Sequence, residues 1–174
     1  MSVRNVSDFL KKINQIENKE ERAMALKTGA NITVKELINI NFNSQIIFDL
    51  PVGSPDLTDE FNPNNNYFPA LSQNDDGATL NYEIRKMYLF IKDRVPQLTQ
   101  IKRETLWIQL INSLGKDEAE VLTLVKDKKL QEKFTNIDHE VAHLAFPEFV
   151  SPPNNKKNRD GKGRFVKKTK TEEA

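Results

Sequence analysis

Residues 139–143 read His139-Glu140-Val141-Ala142-His143, the spacing of a zinc hydrolase. In that pattern two imidazoles one helical turn apart ligate zinc, and the glutamate between them takes a proton from the bound water. A third protein ligand is also required. The chain has only 2 histidines, so the third ligand must be a carboxylate from Glu148, Glu172 or Glu173. Glu148 follows Pro147 too closely to fold back, and the other two lie in a polar C-terminal stretch. On a helix over about residues 136–145, Ile137, Val141, Leu144 and Ala145 form the apolar stripe, and both histidines fall on the opposite side. The expectation is two solvent-facing imidazoles and no metal. A small zinc-dependent metallohydrolase built on His139, Glu140 and His143 is the alternative.

A second pattern is calcium-like. Ser72, Asn74, Asp76, Gly77 and Glu83 match positions one, three, five, six and twelve of an EF-hand loop, except that position one should be Asp. Pro69 spoils the incoming helix. The plainer reading is an Asp-Gly turn followed by Thr79 as a helix N-cap. The 6 glycines form neither a phosphate-binding loop nor a dinucleotide fingerprint, and there is no cysteine for a nucleophile, a disulfide or a thiolate metal site. Acidic neighbours such as Asp75 with Asp76 and Glu118 with Glu120 read as turn and cap residues. No cofactor and no catalytic residue are expected.

The elements that would position these groups are helical. Val6, Phe9, Leu10, Ile13 and Ile16 recur at helical spacing within residues 6–28, with Ser7 as N-cap. Asn18 and Glu21 have capping-box spacing for a second segment, which Gly29 stops by entering the left-handed conformation. Thr33 and Glu36 repeat the pattern before a helix ending near Asn41. Residues 45–55 read as a buried extended segment with room for a short strand, broken by Pro51, Gly53 and Pro55. Residues 51–78 make a long polar connection, anchored by Phe61, Tyr67 and Phe68.

Helix returns over 79–94, closed by Pro96. The most apolar helix, over 99–114, carries Trp107 and is placed at the core centre, with Lys102, Arg103 and Glu104 at the surface. Asp117 and Glu120 open the next helix. Its closing lysines Lys126, Lys128 and Lys129 read as a helix C-terminus in favourable register with the dipole. The fold class is mainly α: one compact domain over residues 1–150, of five to seven helices.

At 174 residues the chain is long enough to bury a core, and its N-terminal stretch lacks a signal-peptide apolar run. No run approaches a membrane helix. The net charge of +1 hides an asymmetry. Residues 151–174 hold 8 basic and 3 acidic side chains, and residues 1–150 hold 18 and 22. The basic side chains of the tail are Lys156, Lys157, Arg159, Lys162, Arg164, Lys167, Lys168 and Lys170, with Phe165 among them. So polar a segment cannot bury enough surface to fold alone, and a disordered tail is expected. It suits non-specific DNA or RNA, the cations neutralising phosphates and Phe165 stacking on a base. A purely solubilising tail is the alternative.

Four blocks carry a resemblance: FDLPVGSP (48–55), RKMYLFIKD (85–93), IKRETLWIQLINSLGKDEAEVLTLVKDKKL (101–130) and LAFPEF (144–149). In this order and spacing they resemble an uncharacterised family of small proteins from large contractile-tailed phages. The resemblance covers about residues 40–150, and its central block is the most specific part. Asp56 and Leu57 depart from the family pattern after the proline-glycine turn, and Trp107 and Asn112 depart from its central helix. The family has no assigned activity, so the resemblance implies a setting and no catalytic residue. The expectation is a non-enzymatic accessory protein in the host cytoplasm, binding a phage or host protein through its helical body. A structural virion component is the other non-enzymatic reading.

Overall fold

The computed structural model describes residues 5–54 and 79–153. The polar connection from 55 to 78, and with it most of the EF-hand-like stretch and its anchoring aromatics, lies outside the described residues, as does the tail from 154 onward. Among the described residues the fold is all α, with eight helices: α1 Val6–Asn14, α2 Lys19–Gly29, α3 Ile32–Phe42, α4 Leu80–Glu83, α5 Gln100–Ser113, α6 Lys116–Lys126, α7 Leu130–Lys133 and α8 His139–Ala145. A 3-10 helix, Ile84–Leu89, continues α4. The count exceeds the expected five to seven because α4 and α7 are single turns. None of these helices is long and apolar enough to cross a membrane.

Short polar side chains start most of the helices. Asn5 accepts from the Asp8 N–H at 3.0 Å, Asn18 from Glu20 and Glu21, Asn31 from Val34 at 2.9 Å, and Asp138 from Val141 at 2.8 Å. Each satisfies amides that a helix start leaves without intrahelical partners. Asn18 is where the capping pattern placed it. Ser7 and Thr33 are not caps: each is the buried second residue of a helix that begins one residue earlier. Gly29 ends α2 without a left-handed conformation, since Gly53 is the one glycine with positive φ among the described residues. Its role is close approach, because a Cβ there would stand 2.7 Å from Phe9 Cε2 of α1.

The core centre is α3, not α5. Val34, Leu37, Ile38 and Ile40 of α3 are fully buried, and this helix packs on α6, α8 and α4. The tightest pairing in the molecule is α2 on α8. The apolar ring around α5 is covered on one face only, through Trp107, Leu110 and Ile111, while Ile101 stays 79% exposed. Trp107 does gather its neighbours, meeting Phe48 and Phe90 edge-on at 6.0 and 5.1 Å.

The expected long helix over 79–94 is broken. After Leu89 the backbone leaves helix to pair with the segment at 47–49, through an antiparallel bridge between Phe48 and Ile91. The Asp49 N–H donates to Phe90 O and the Lys92 N–H to Ile47 O, both at 2.8 Å. The extended reading of 45–55 is realised as a single bridge, and of its described residues only Phe48 is buried. The Phe90 N–H still donates to Met87 O at 3.0 Å, but the Lys92 N–H goes to the bridge instead of to the preceding turn, and Asp93 then reverses the chain at φ 63°.

Candidate functional site

The zinc-like residues sit on α8, whose approach is locked from two sides. Arg22 of α2 is buried, and its guanidinium donates to Ile16 O, to Glu17 O at 2.9 Å and to Asn136 O at 3.1 Å. Asn136 in turn donates two hydrogen bonds to Asn14, from its N–H to Oδ1 at 2.9 Å and from Nδ2 to the main-chain O at 2.8 Å. Helix α8 starts only at His139, so Ile137 precedes it and cannot serve as an angular reference for its faces.

The imidazoles are therefore not bare. Both are half-buried, and both turn to the chain that leaves α8. His139 Nε2 donates to Ser151 O at 2.8 Å, and His143 Nδ1 donates to Val150 O at 2.7 Å. A carbonyl oxygen only accepts, so each of these nitrogens carries the proton. The His139 ring also meets Phe42 edge-on at 5.5 Å. Glu140, the would-be base, forms an ion pair with Lys19 at the start of α2. Among the described residues no three His, Asp or Glu side chains come together in a way that could hold a metal ion. The three residues work instead as fasteners: the histidines secure the root of the C-terminal segment, and the glutamate ties α8 to α2.

Glu83, the last position of the calcium-like pattern, is buried on α4 and pairs with Lys86 at 2.6 Å. Thr79 occupies the N-cap position without a side-chain hydrogen bond. The first amide of α4 is served from elsewhere. Glu118, buried at the start of α6, takes the Leu80 N–H on Oε2 at 2.8 Å and the Val6 N–H on Oε1 at 3.1 Å. One carboxylate thus caps α1 and α4 at once, favoured by the positive ends of two helix dipoles.

Two more cations, Arg103, expected at the surface, and Lys126, expected at a helix end, are engaged inside. Arg103 is 5% exposed, not a surface residue. It donates to Leu89 O at 3.1 Å, Val95 O at 3.3 Å, Gln100 Oε1 at 3.0 Å and Asp49 Oδ2 at 2.5 Å. This fork closes the 89–95 loop onto the first turn of α5. Lys126 is buried beside Asp127 and donates to Pro51 O at 2.6 Å. Asp127 accepts from the Gly53 N–H at 2.7 Å, so the end of α6 pins the turn in which Gly53 adopts φ 91°.

Lys128 extends to the C-terminus of α3 and donates to Ile40 O and to Asn43 O. It does cap a helix, but a neighbouring one. Burial pushes its ammonium down to about 8. On the opposite side, Lys11 of α1 meets Asp117 of α6 at 2.6 Å, and that hydrogen bond holds the carboxyl below its ordinary value.

The tail residues assigned to nucleic acid, from Lys156 to Lys170 with Phe165, lie outside the described residues. What is described is their root: Ser151, Pro152 and Pro153, held on α8 by His139 and His143. Arg22, Arg103 and Glu118 are the side chains that local spacing misses. Their partners lie far away along the chain, and the one local hint is a charged residue on an otherwise apolar face.

No curated protein and no solved structure matches the chain. A family model does, over residues 9–132, a span covering α1 through most of α7 and ending before the His139–His143 helix. Since this match takes in well over half of the sequence, the chain belongs to the family of unknown function DUF6433.

Proposed function

We propose that the protein is a non-enzymatic accessory protein of a contractile-tailed phage, made in the host cytoplasm. Its helical body binds a phage or host protein, and its basic C-terminal segment binds nucleic acid. The observation that carries this reading is the separation of charge: 8 basic against 3 acidic side chains in residues 151–174, and 18 against 22 in residues 1–150. Such a segment releases counterions on meeting a polyphosphate, and its charge is opposite to the net charge of the body.

The hydrogen bonds from His139 and His143 support the reading, since they fix where that segment departs. The phage setting rests on the resemblance of the four sequence blocks. A non-enzymatic role is supported by how the reactive side chains are used: both histidines, Glu140, Arg103, Glu118 and Lys126 hold backbone or bridge helices. For a protein partner the body offers the outer face of α2, where Met24 is 63% exposed among Glu20, Glu21 and Thr28.

Replacing the basic residues from Lys156 to Lys170 by glutamine, and titrating labelled DNA and RNA at several salt concentrations, tests the proposal. Each phosphate that the variant no longer neutralises lowers the slope of log K against log salt by about 0.7–0.9. Unchanged affinity and slope would remove the nucleic-acid arm. Recovery of the protein among purified particle components would replace the accessory role by a structural one.

A further inference from the structure

We propose that the α4–α5 region is a binding surface for single-stranded nucleic acid, with Tyr82 and Tyr88 as stacking platforms. The inference rests on the nucleic-acid role above only for the class of ligand; the surface lies on the body and is separate from the tail.

The geometry starts from the 3-10 helix. With three residues per turn, positions three apart lie one above the other. Arg85 and Tyr88, three apart, lie on this 3-10 helix, and Tyr82 stands three residues before Arg85 on α4; all are exposed, the two tyrosines at 63% and 55%. The Arg85 guanidinium lies 4.6 Å above the centre of the Tyr82 ring. The row is thus aromatic, cation, aromatic, with Arg85 on one face of the Tyr82 ring and both tyrosines exposed.

More exposed cations follow along the chain: Lys92 and Arg94 in the loop after the 3-10 helix, and Lys102 in the first turn of α5. Arg103 ties both ends of that loop, at Leu89 and Val95, to the same first turn. Lys86 is the partly neutralised member, through Glu83. Residues 84–102 hold 5 basic side chains and a single acidic one, Asp93, while the rest of residues 1–150 hold 13 and 21. This is a positive surface on a negative body, so a polyanion is its complementary partner. The exposed tyrosines favour single strands over duplex, because only unpaired bases can leave the stack and lie on a ring.

The test uses the full chain and labelled oligo(dT) and oligo(rU) of about 12 nucleotides, the scale of one such site, followed by anisotropy. Heparin serves as a polyanion without bases. Tyr82→Ala/Tyr88→Ala is expected to weaken oligonucleotide binding at least about fivefold, the low end of one stacked base, and to leave heparin binding unchanged. Lys92→Glu/Arg94→Glu is expected to weaken both, and gives an independent reading should the tyrosine variant lose its fold. The tail-neutralised chain is expected to keep the tyrosine-dependent difference between oligonucleotide and heparin. Preference for dT or rU decides between DNA and RNA. Equal oligonucleotide affinity of wild type and the tyrosine variant overturns the inference, as does an equal loss of heparin binding or tighter binding of poly-glutamate than of either oligonucleotide.

Discussion

Glu118→Gln is the substitution whose cost the geometry defines best. Glu118 Oε1 and Oε2 each accept one main-chain N–H, from Val6 at 3.1 Å and from Leu80 at 2.8 Å. Val6 and Leu80 are both fully buried, so water cannot take over either amide. Glutamine keeps one oxygen and turns an amino group toward the other N–H. A buried donor left without an acceptor costs about 1–3 kcal/mol, and the surviving bond loses its charge assistance, for a total of about 2–4 kcal/mol. Helix α6 itself is indifferent, since glutamine is as good a helix former as glutamate.

With a urea slope of about 2 kcal/mol/M the unfolding midpoint falls by roughly 1–2 M, at unchanged slope. Glu118→Ala orphans both amides and costs about 3–6 kcal/mol, a large share of a typical stability of about 5–15 kcal/mol. Hydrogen exchange gives a second readout: the Val6 and Leu80 amides speed up more than amides in α8. A glutamine variant that melts within about 0.2 M of wild type, or that loosens all helices alike, refutes the double-cap reasoning.

Further predictions concern Lys128 and α8. In the folded chain burial lowers the Lys128 ammonium to about 8, from an ordinary value of 10.5. The unfolded state therefore binds more protons between those limits, and stability rises with pH through that window. The side chain is half-exposed, which trims the effect to about 1 kcal/mol; urea midpoints near pH 7 and near pH 9.5 should converge in Lys128→Met, after subtraction of its constant loss of the α3 cap. His139→Ala and His143→Ala should each lose about 1 kcal/mol from a broken hydrogen bond, whereas excess zinc should leave the wild-type melting temperature unchanged; a zinc-dependent rise that disappears in both variants would restore the metal reading.

Helix type and order are legible in the sequence because amphipathic periodicity is local: the stripes of α1, α3 and α6 can be read without knowing what covers them. Asn18 is legible for the same reason, its acceptor lying two to three residues from the amides it serves. What escapes depends on distant partners. The break after Leu89 follows from a bridge to Phe48, some forty residues earlier, and no spacing within 79–94 announces it. Arg103 reads as a surface cation because its acceptors Asp49, Leu89 and Val95 come from other segments. The histidines read as bare when the helical wheel starts at Ile137, ahead of a helix that begins at His139, and when the return of Val150 and Ser151 over them is unknown.

The same distinction between local and distant partners changes what the net charge means. Counted along the chain, the lysines from 126 to 129 and the arginines at 22 and 103 look as available as any others. In the fold, Arg22, Arg103, Lys126 and Lys128 donate to main-chain carbonyls, and their charge is held against helix ends and turns. Half of the exposed cations on the described body lie between Arg85 and Lys102, a stretch with two exposed tyrosines within it or just before its start, while residues 1–150 as a whole are acidic. Under the proposal above, a polyanion is drawn first to the face that bears this stretch. Binding through that face and through a basic segment rooted on α8 would be two linked, salt-sensitive contacts on one strand, and neutralising either should reduce affinity by more than its share of the charge.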